Sequence, residues 1–321
     1  MASKQGIIFI INIMTPLTTT TERPSAGWWR FSGRFPHYYA LIFWLFSLIL
    51  FRQPLCDLAR LSFRDELASH VLLIPVISGF LLYLERRRIF QASNYCPTLG
   101  VPLLVVILVL WFSLQTPLST LKPLDQLSVV VAFLVLTWIG KFLLFFGTKA
   151  FRAALFPLLF LFLMSPIPAV VSEHLISALQ KGSAETCYIL FRVLRVPVIR
   201  HGLQFVLPGC EIEVAEQCSG IHAGLSLFIA GLLAEYALLS GAAKRTCFTL
   251  CIFPIAIFKN AVRIVTIAWL GIYVNPNFFH GALHRQGGVP FSLLAIGMMA
   301  VLIWLLRRPL TFTKVNDEVG I

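Results

Sequence analysis

The sequence predicts an all-α polytopic membrane protein of about eight transmembrane helices, with an outer-face amphipathic helix and a short β-hairpin between spans five and six. Three observations predict this class. Of the 321 residues, 58% are apolar and 12% charged, where soluble globular chains average roughly 45–50% and about 25%. Mean hydropathy is +0.84. The apolar residues fall into runs on the scale of a bilayer, and the charges between the runs are segregated by sign. A soluble enzyme, a disordered chain and a secreted disulfide scaffold are excluded. The formal net charge is +12. No basic stripe with interleaved aromatics accompanies it, so the excess records topology and no nucleic-acid partner is expected. The 7 cysteines include no CxxC pair. Their odd number leaves at least one free thiol.

Taken in order, residues 1–37 form a cytoplasmic N-terminal segment. Within it, 6–14 is apolar but too short to span, and no small-residue cleavage pattern follows, so no cleaved signal peptide is expected. A span needs roughly 17–25 residues. The eight expected spans lie near 38–51, 69–84, 99–114, 124–139, 150–171, 219–239, 247–273 and 290–306. The second to fourth are short and extend into their flanks, the fourth through Lys141 to Phe146. Residues 38–306 make one membrane domain, and 307–321 are a cytoplasmic tail.

Charge sets the orientation. Arg86, Arg87 and Arg88 follow span two, Lys244 and Arg245 follow span six, and Arg307 and Arg308 follow span eight. Eight spans put these clusters on one side, with fifteen basic residues against four acids. Nine basic residues and nine acids fall on the other. The basic side is the cytoplasm, which places both termini there. The longest outer connection, 172–217, opens with apolar residues at helical spacing (Leu175, Ile176, Leu179, Ile189, Leu190, Val193). That pattern suits an amphipathic helix on the membrane surface. Its second part, 196–215, alternates apolar and polar residues around a Pro208-Gly209 turn, as a hairpin does.

Polar residues inside the spans carry the functional signal. Arg263 lies in span seven, with Asn260 three residues earlier on the same helical face. A central arginine costs at least roughly 2.5–3.5 kcal/mol, so it faces a wet cavity or a partner, or anchors on carbonyls. Lys259 is equally deep. Cys218 stands where the outer loop enters span six, among Glu216, Gln217, Ser219 and Gly220. A helix starting at Ser219 or Gly220 would present a positive dipole end to its sulfur and favour the thiolate. An inert boundary thiol is the plain alternative. His284 lies in the last outer loop, shortly after His280. Thiol, imidazole and guanidinium together make an acyl-transfer set. Sulfur attacks a carbonyl, histidine protonates the leaving amine, and arginine holds the oxyanion. The same region offers a zinc alternative: Cys218 with His222 and His280 with His284 are each four apart, and Glu216 would act as base. No HExxH occurs, and no metal or other cofactor is expected. A third possibility is a polysaccharide-export or lipid-carrier component that binds anions through Arg263 and Lys259.

Several segments resemble the exosortase/archaeosortase family of membrane transpeptidase-like proteases. They are Ser69-His70 followed by Ile74-Pro75, Ser165-Pro166-Ile167-Pro168 then Leu179-Gln180, Glu216-Gln217-Cys218-Ser219-Gly220, Asn260-Ala261-Val262-Arg263, and His284 with Gly287-Gly288. Their order and span positions agree over residues 38–306. Two positions depart from the family pattern: His222 stands where the family commonly has arginine, and Val71 replaces a glycine. The resemblance implies a catalytic trio of Cys218 (nucleophile), Arg263 and His284 (general acid/base), supported by Asn260, Ser219, Gly220, Glu216, His222 and His280. It also implies substrates with a C-terminal PEP-CTERM sorting signal, which is a Pro-Glu-Pro-like motif, a transmembrane helix and a basic tail. Cleavage would occur at the periplasmic face of a bacterial inner membrane. An amine or polysaccharide would serve as acceptor, in association with exopolysaccharide systems. Membrane lipid is the remaining expected partner.

Overall fold

In the computed structural model, residues 36–91, 94–215, 220–279 and 288–308 are described. The expected segment 1–37 and tail 307–321 therefore lie almost wholly outside the described residues. The helices are α1 (Pro36–Leu50), α2 (Arg52–Arg64), α3 (Leu73–Leu84), α4 (Arg86–Gln91), α5 (Pro97–Leu118), α6 (Pro123–Ala153), α7 (Leu155–Phe160), α8 (Ala169–Val193), α9 (Ile221–Leu238), α10 (Ala242–Tyr273) and α11 (Gly288–Arg307). Short 3-10 turns precede α3, extend α7 to Met164 and follow α10.

Among the described residues, five helices, namely α5, α6, α9, α10 and α11, are long and apolar enough to cross a membrane. The number rises to seven if each of two bent pairs is one span. These helices make the chain a multi-pass membrane protein. They are fewer than the eight spans the sequence predicts, for three physical reasons. The first expected span is bent by 69° between Ile42–Leu50 and α2. The helix α3 has 12 residues, about 18 Å at 1.5 Å per residue, short of a hydrocarbon core of about 30 Å. The expected span 150–171 is broken between Leu155–Met164 and α8 by a 93° bend. Pro166 and Pro168 cause the break, because a residue before proline avoids the helical region. Ser165 is extended, with ψ 128°. The start of α6 holds the corner. Ala169 N–H donates to Asp125 Oδ1 at 2.7 Å, and Ser165 Oγ donates to the Ser128 carbonyl at 2.7 Å.

Helix α6 runs well past Phe146, but Gly147 interrupts its helical backbone with φ +77°. The break deprives the preceding carbonyls of intrahelical donors. Two of them are taken by the chain entering α5: Asn94 N–H donates to Phe146 O at 2.9 Å, and Cys96 N–H to Leu144 O at 3.0 Å. Lys141 is buried and donates to the Phe43 carbonyl at 2.8 Å, pinning α1 to α6. Trp44 stacks on Trp138 at 5.4 Å between centroids in the same joint.

The strands are β1 (Ile199–His201), β2 (Gln204–Leu207) and β3 (Cys210–Glu213). They form an antiparallel meander with Ile199 opposite Val206 and Leu207 opposite Cys210. Three strands thus stand where the sequence predicts one hairpin, and Pro208-Gly209 joins β2 to β3. The sheet lies on α8. Phe205 and Phe191 are both fully buried, with centroids 5.8 Å apart, and Arg200 pairs with Glu185 at 2.9 Å. The helix α8 begins four residues before the expected amphipathic helix. It is half sunk into the molecule, with Leu179, Ser183, Ala184, Cys187 and Phe191 buried. Ala184, Cys187 and Phe191 share one apolar core with α10's Ala261, Val265 and Ala268.

Candidate functional site

The helix α8 positions the site. Along one of its faces, Gln180, Ser183 and Cys187 follow helical spacing. Gln180 Nε2 donates to the carbonyl of Val214 at 2.9 Å, where the chain leaves β3. Asn260 Nδ2 donates to Ser183 Oγ at 3.0 Å, with both side chains buried. Cys187 Sγ donates to the Ala261 carbonyl at 3.7 Å. One helix therefore ties the exit of the sheet to the middle of α10. The sequence predicts roles for Asn260 and Arg263 but none for Ser183 or Gln180. Their signal was a polar stripe at a three-residue interval on an otherwise apolar helix face.

The start of α9 is seated on the same place. Gly220 has φ +77°, a left-handed conformation that glycine adopts without steric cost. A Cβ there would lie 3.0 Å from Asn260 Cγ and Oδ1. Glycine is thus required twice, for its backbone and for its lack of a side chain. At Gly224 an added Cβ would meet Ala256 Cβ at 3.9 Å, an ordinary contact.

On α10 the cations follow directly. Lys259 is 3% exposed and Asn260 1%. Arg263 is half-buried one turn beyond them. His222 is exposed on α9. Cys218, Ser219, Glu216, His280 and His284 lie outside the described residues. Of the expected site, the structure brings together Gly220 and Asn260, with Arg263 on the same face of α10. Among the described residues, no group of three or more His, Cys, Asp or Glu side chains is placed to hold a metal.

Beside the site is an apolar cavity of about 450 Å³. The Ser165–Pro168 corner, α8, α9 and α10 line it, with Leu179, Ile221, Gly224, Phe228, Ile252 and Ala256 among the contacts. Among the described residues of that lining, His70 is the one titratable side chain. It lies in the turn before α3, which falls within the expected span 69–84 but outside the helices and bent pairs long enough to cross a membrane. Burial lowers its pKa from the usual 6.5, against the opposing effect of hydrogen bonds to the Leu163 and Leu67 backbone. The cavity was not legible in sequence, because it is bounded by ordinary apolar residues that only the α7–α8 corner brings together.

Residues 62–304 match the family model described as transmembrane exosortase (Exosortase_EpsH). No curated protein and no solved structure matches the chain. The matched stretch runs from the end of α2 almost to the end of α11 and takes in the sheet, the cavity and the cations of α10. On that extent, the chain belongs to the transmembrane exosortase family.

Proposed function

We propose that the protein is a membrane cysteine peptidase or transpeptidase acting on C-terminal sorting signals of the PEP-CTERM type. One observation carries the reading. Gly220, two residues after Cys218 in the chain, is seated against Asn260, one turn before Arg263. Two residues of chain reach at most about 7 Å, so the family's cysteine and arginine motifs meet at one place. The Cys218 thiolate attacks the scissile carbonyl and forms a tetrahedral oxyanion, which Arg263 stabilises. Collapse expels the amine, protonated by His284, and leaves a thioester between Cys218 and the new substrate C-terminus. Water or an acceptor amine then attacks the thioester and regenerates the thiol. The apolar cavity receives the apolar residues that follow the sorting motif. The protein resides in the bacterial inner membrane with its C-terminus cytoplasmic and the site facing the periplasm: seven spans still put Arg86, Arg87, Arg88, Lys244, Arg245, Arg307 and Arg308 on one side and the connection that carries the sheet on the other. A substrate helix with a basic cytoplasmic end would present its motif there. Association with exopolysaccharide and surface assembly follows from the same reading.

The test is cleavage of a co-expressed tagged substrate bearing a Pro-Glu-Pro motif, an apolar helix and a basic tail, followed by mass. Tail removal is expected in the wild type and absent in Cys218→Ala and His284→Ala at matched membrane levels. Full activity in Cys218→Ala would refute the thiol mechanism and move attention to His222, His280 and Glu216.

A further inference from the structure

We propose that Lys259, one turn before Arg263, is an anion-binding subsite that takes an acidic side chain of the peptide substrate. The proposal rests on the peptidase reading and names a specificity-determining residue for it. Lys259 lies in the middle of a 32-residue helix and is 3% exposed. The helix ends fourteen residues later at Tyr273, roughly 21 Å at 1.5 Å per residue. A lysine near a helix end escapes by snorkelling to the interface; Lys259 is too deep for that. A buried ammonium without a counter-charge is costly, by several kcal/mol per ion even after relaxation. The ion pairs formed among the described residues, Arg60–Asp57 and Arg200–Glu185, lie elsewhere. Among the described residues, no carboxylate bonds to Lys259.

Ile252 and Ala256 line the apolar cavity. Lys259 and Arg263 continue their stripe at intervals of three and four residues. One stripe of α10 thus runs from the cavity wall to Lys259 and Arg263, which flank in sequence the Asn260 that Gly220 is seated against. That surface complements a peptide in which an acidic residue adjoins an apolar stretch. A lipid phosphate, held at the interface, is read by exposed cations, and Lys259 is not one.

The experiment measures binding to the full chain carrying Cys218→Ala, in phosphatidylcholine nanodiscs. Two fluorescent peptides are compared, one with Pro-Glu-Pro and one with Pro-Gln-Pro, each followed by the same apolar helix and basic end. The Glu peptide is expected to bind at least about tenfold more tightly, as a charge-assisted pair requires. Adding Lys259→Gln brings the two within about twofold. Lys259→Arg keeps the preference, and Lys259→Glu transfers it to a Pro-Lys-Pro peptide. Equal affinities in the unmutated subsite would overturn the proposal, as would binding of neither peptide or a preference that survives Lys259→Gln. Loss of the preference on adding anionic lipid would overturn it in favour of phosphate. If Lys259→Gln does not fold, the Glu/Gln comparison and the Lys259→Arg and Lys259→Glu arms decide. The peptidase reading fails separately. Wild-type cleavage indifferent to Glu or Gln would sink the subsite alone, and Glu-selective binding without cleavage would sink the peptidase alone.

Discussion

At the scale of residues, the site is built from close contacts that tolerate little. Gly220→Ala forces a Cβ into the left-handed region, at a cost of about 1–2 kcal/mol. It also brings that atom to 3.0 Å from Asn260. Its thermal midpoint is expected to fall and, on the proposed function, tail cleavage to drop at least about tenfold at matched levels, because the start of α9 is displaced from Asn260. His70 sets a pH dependence. Its pKa in the fold lies below the usual 6.5 because burial disfavours the imidazolium. The unfolded chain therefore takes up the proton first. Stability is expected to fall as pH drops through 6.5, and the loss is complete once pH is below the folded value. Replacing His70 by Gln should flatten that limb in chemical denaturation of the detergent-solubilised protein. Asn260 and Arg263 were legible because a polar pair three residues apart inside an apolar run has few structural explanations. Ser183 was not, and Gln180 showed only within a segment that resembles the family, since serine and glutamine on an amphipathic helix are ordinary and only packing against α10 and β3 gives them partners.

At the scale of elements, apolar periodicity located most helices, and the breaks were what it missed. Hydropathy ran continuously across 150–171, yet the chain turns through 93° there. Pro166 and Pro168 state the break in sequence; the Asp125 acceptor that stabilises it comes from forty-four residues away. Removing that acceptor in Asp125→Ala should destabilise the protein by about 1 kcal/mol, the ordinary cost of losing a helix cap. Asp125→Asn, which keeps an acceptor oxygen, should lose much less, as read by thermal unfolding. The interruption of α6 at Gly147 was invisible for a related reason. Its carbonyls are satisfied by Asn94 and Cys96, and nothing local to α6 announces those donors. The sheet showed its alternation and its Pro208-Gly209 turn; the first strand was too short, at three residues, to stand out.

At the scale of the whole molecule, composition was enough for class, because a chain with so few charges has no other solvent in which to bury its surface. The segregation of Lys and Arg makes a topological prediction that the helices alone do not. Reporter fusions after Arg308 should be active in the cytoplasm, and a reporter inserted at Pro208-Gly209 should be active only on the far side. The reverse pattern would invert the molecule and with it the proposed face of catalysis. The bonds of α8 have a mechanical consequence. Gln180 grips the exit of the sheet and Ser183 grips α10 within a single helical turn. Both arms of the site thus take their bearings from one short length of rod. A change of bilayer thickness that tilts the surrounding helices reaches those arms through one helix, so the two move together. Under the proposed function, that would keep the cysteine and arginine motifs in step for a substrate anchored in the same membrane.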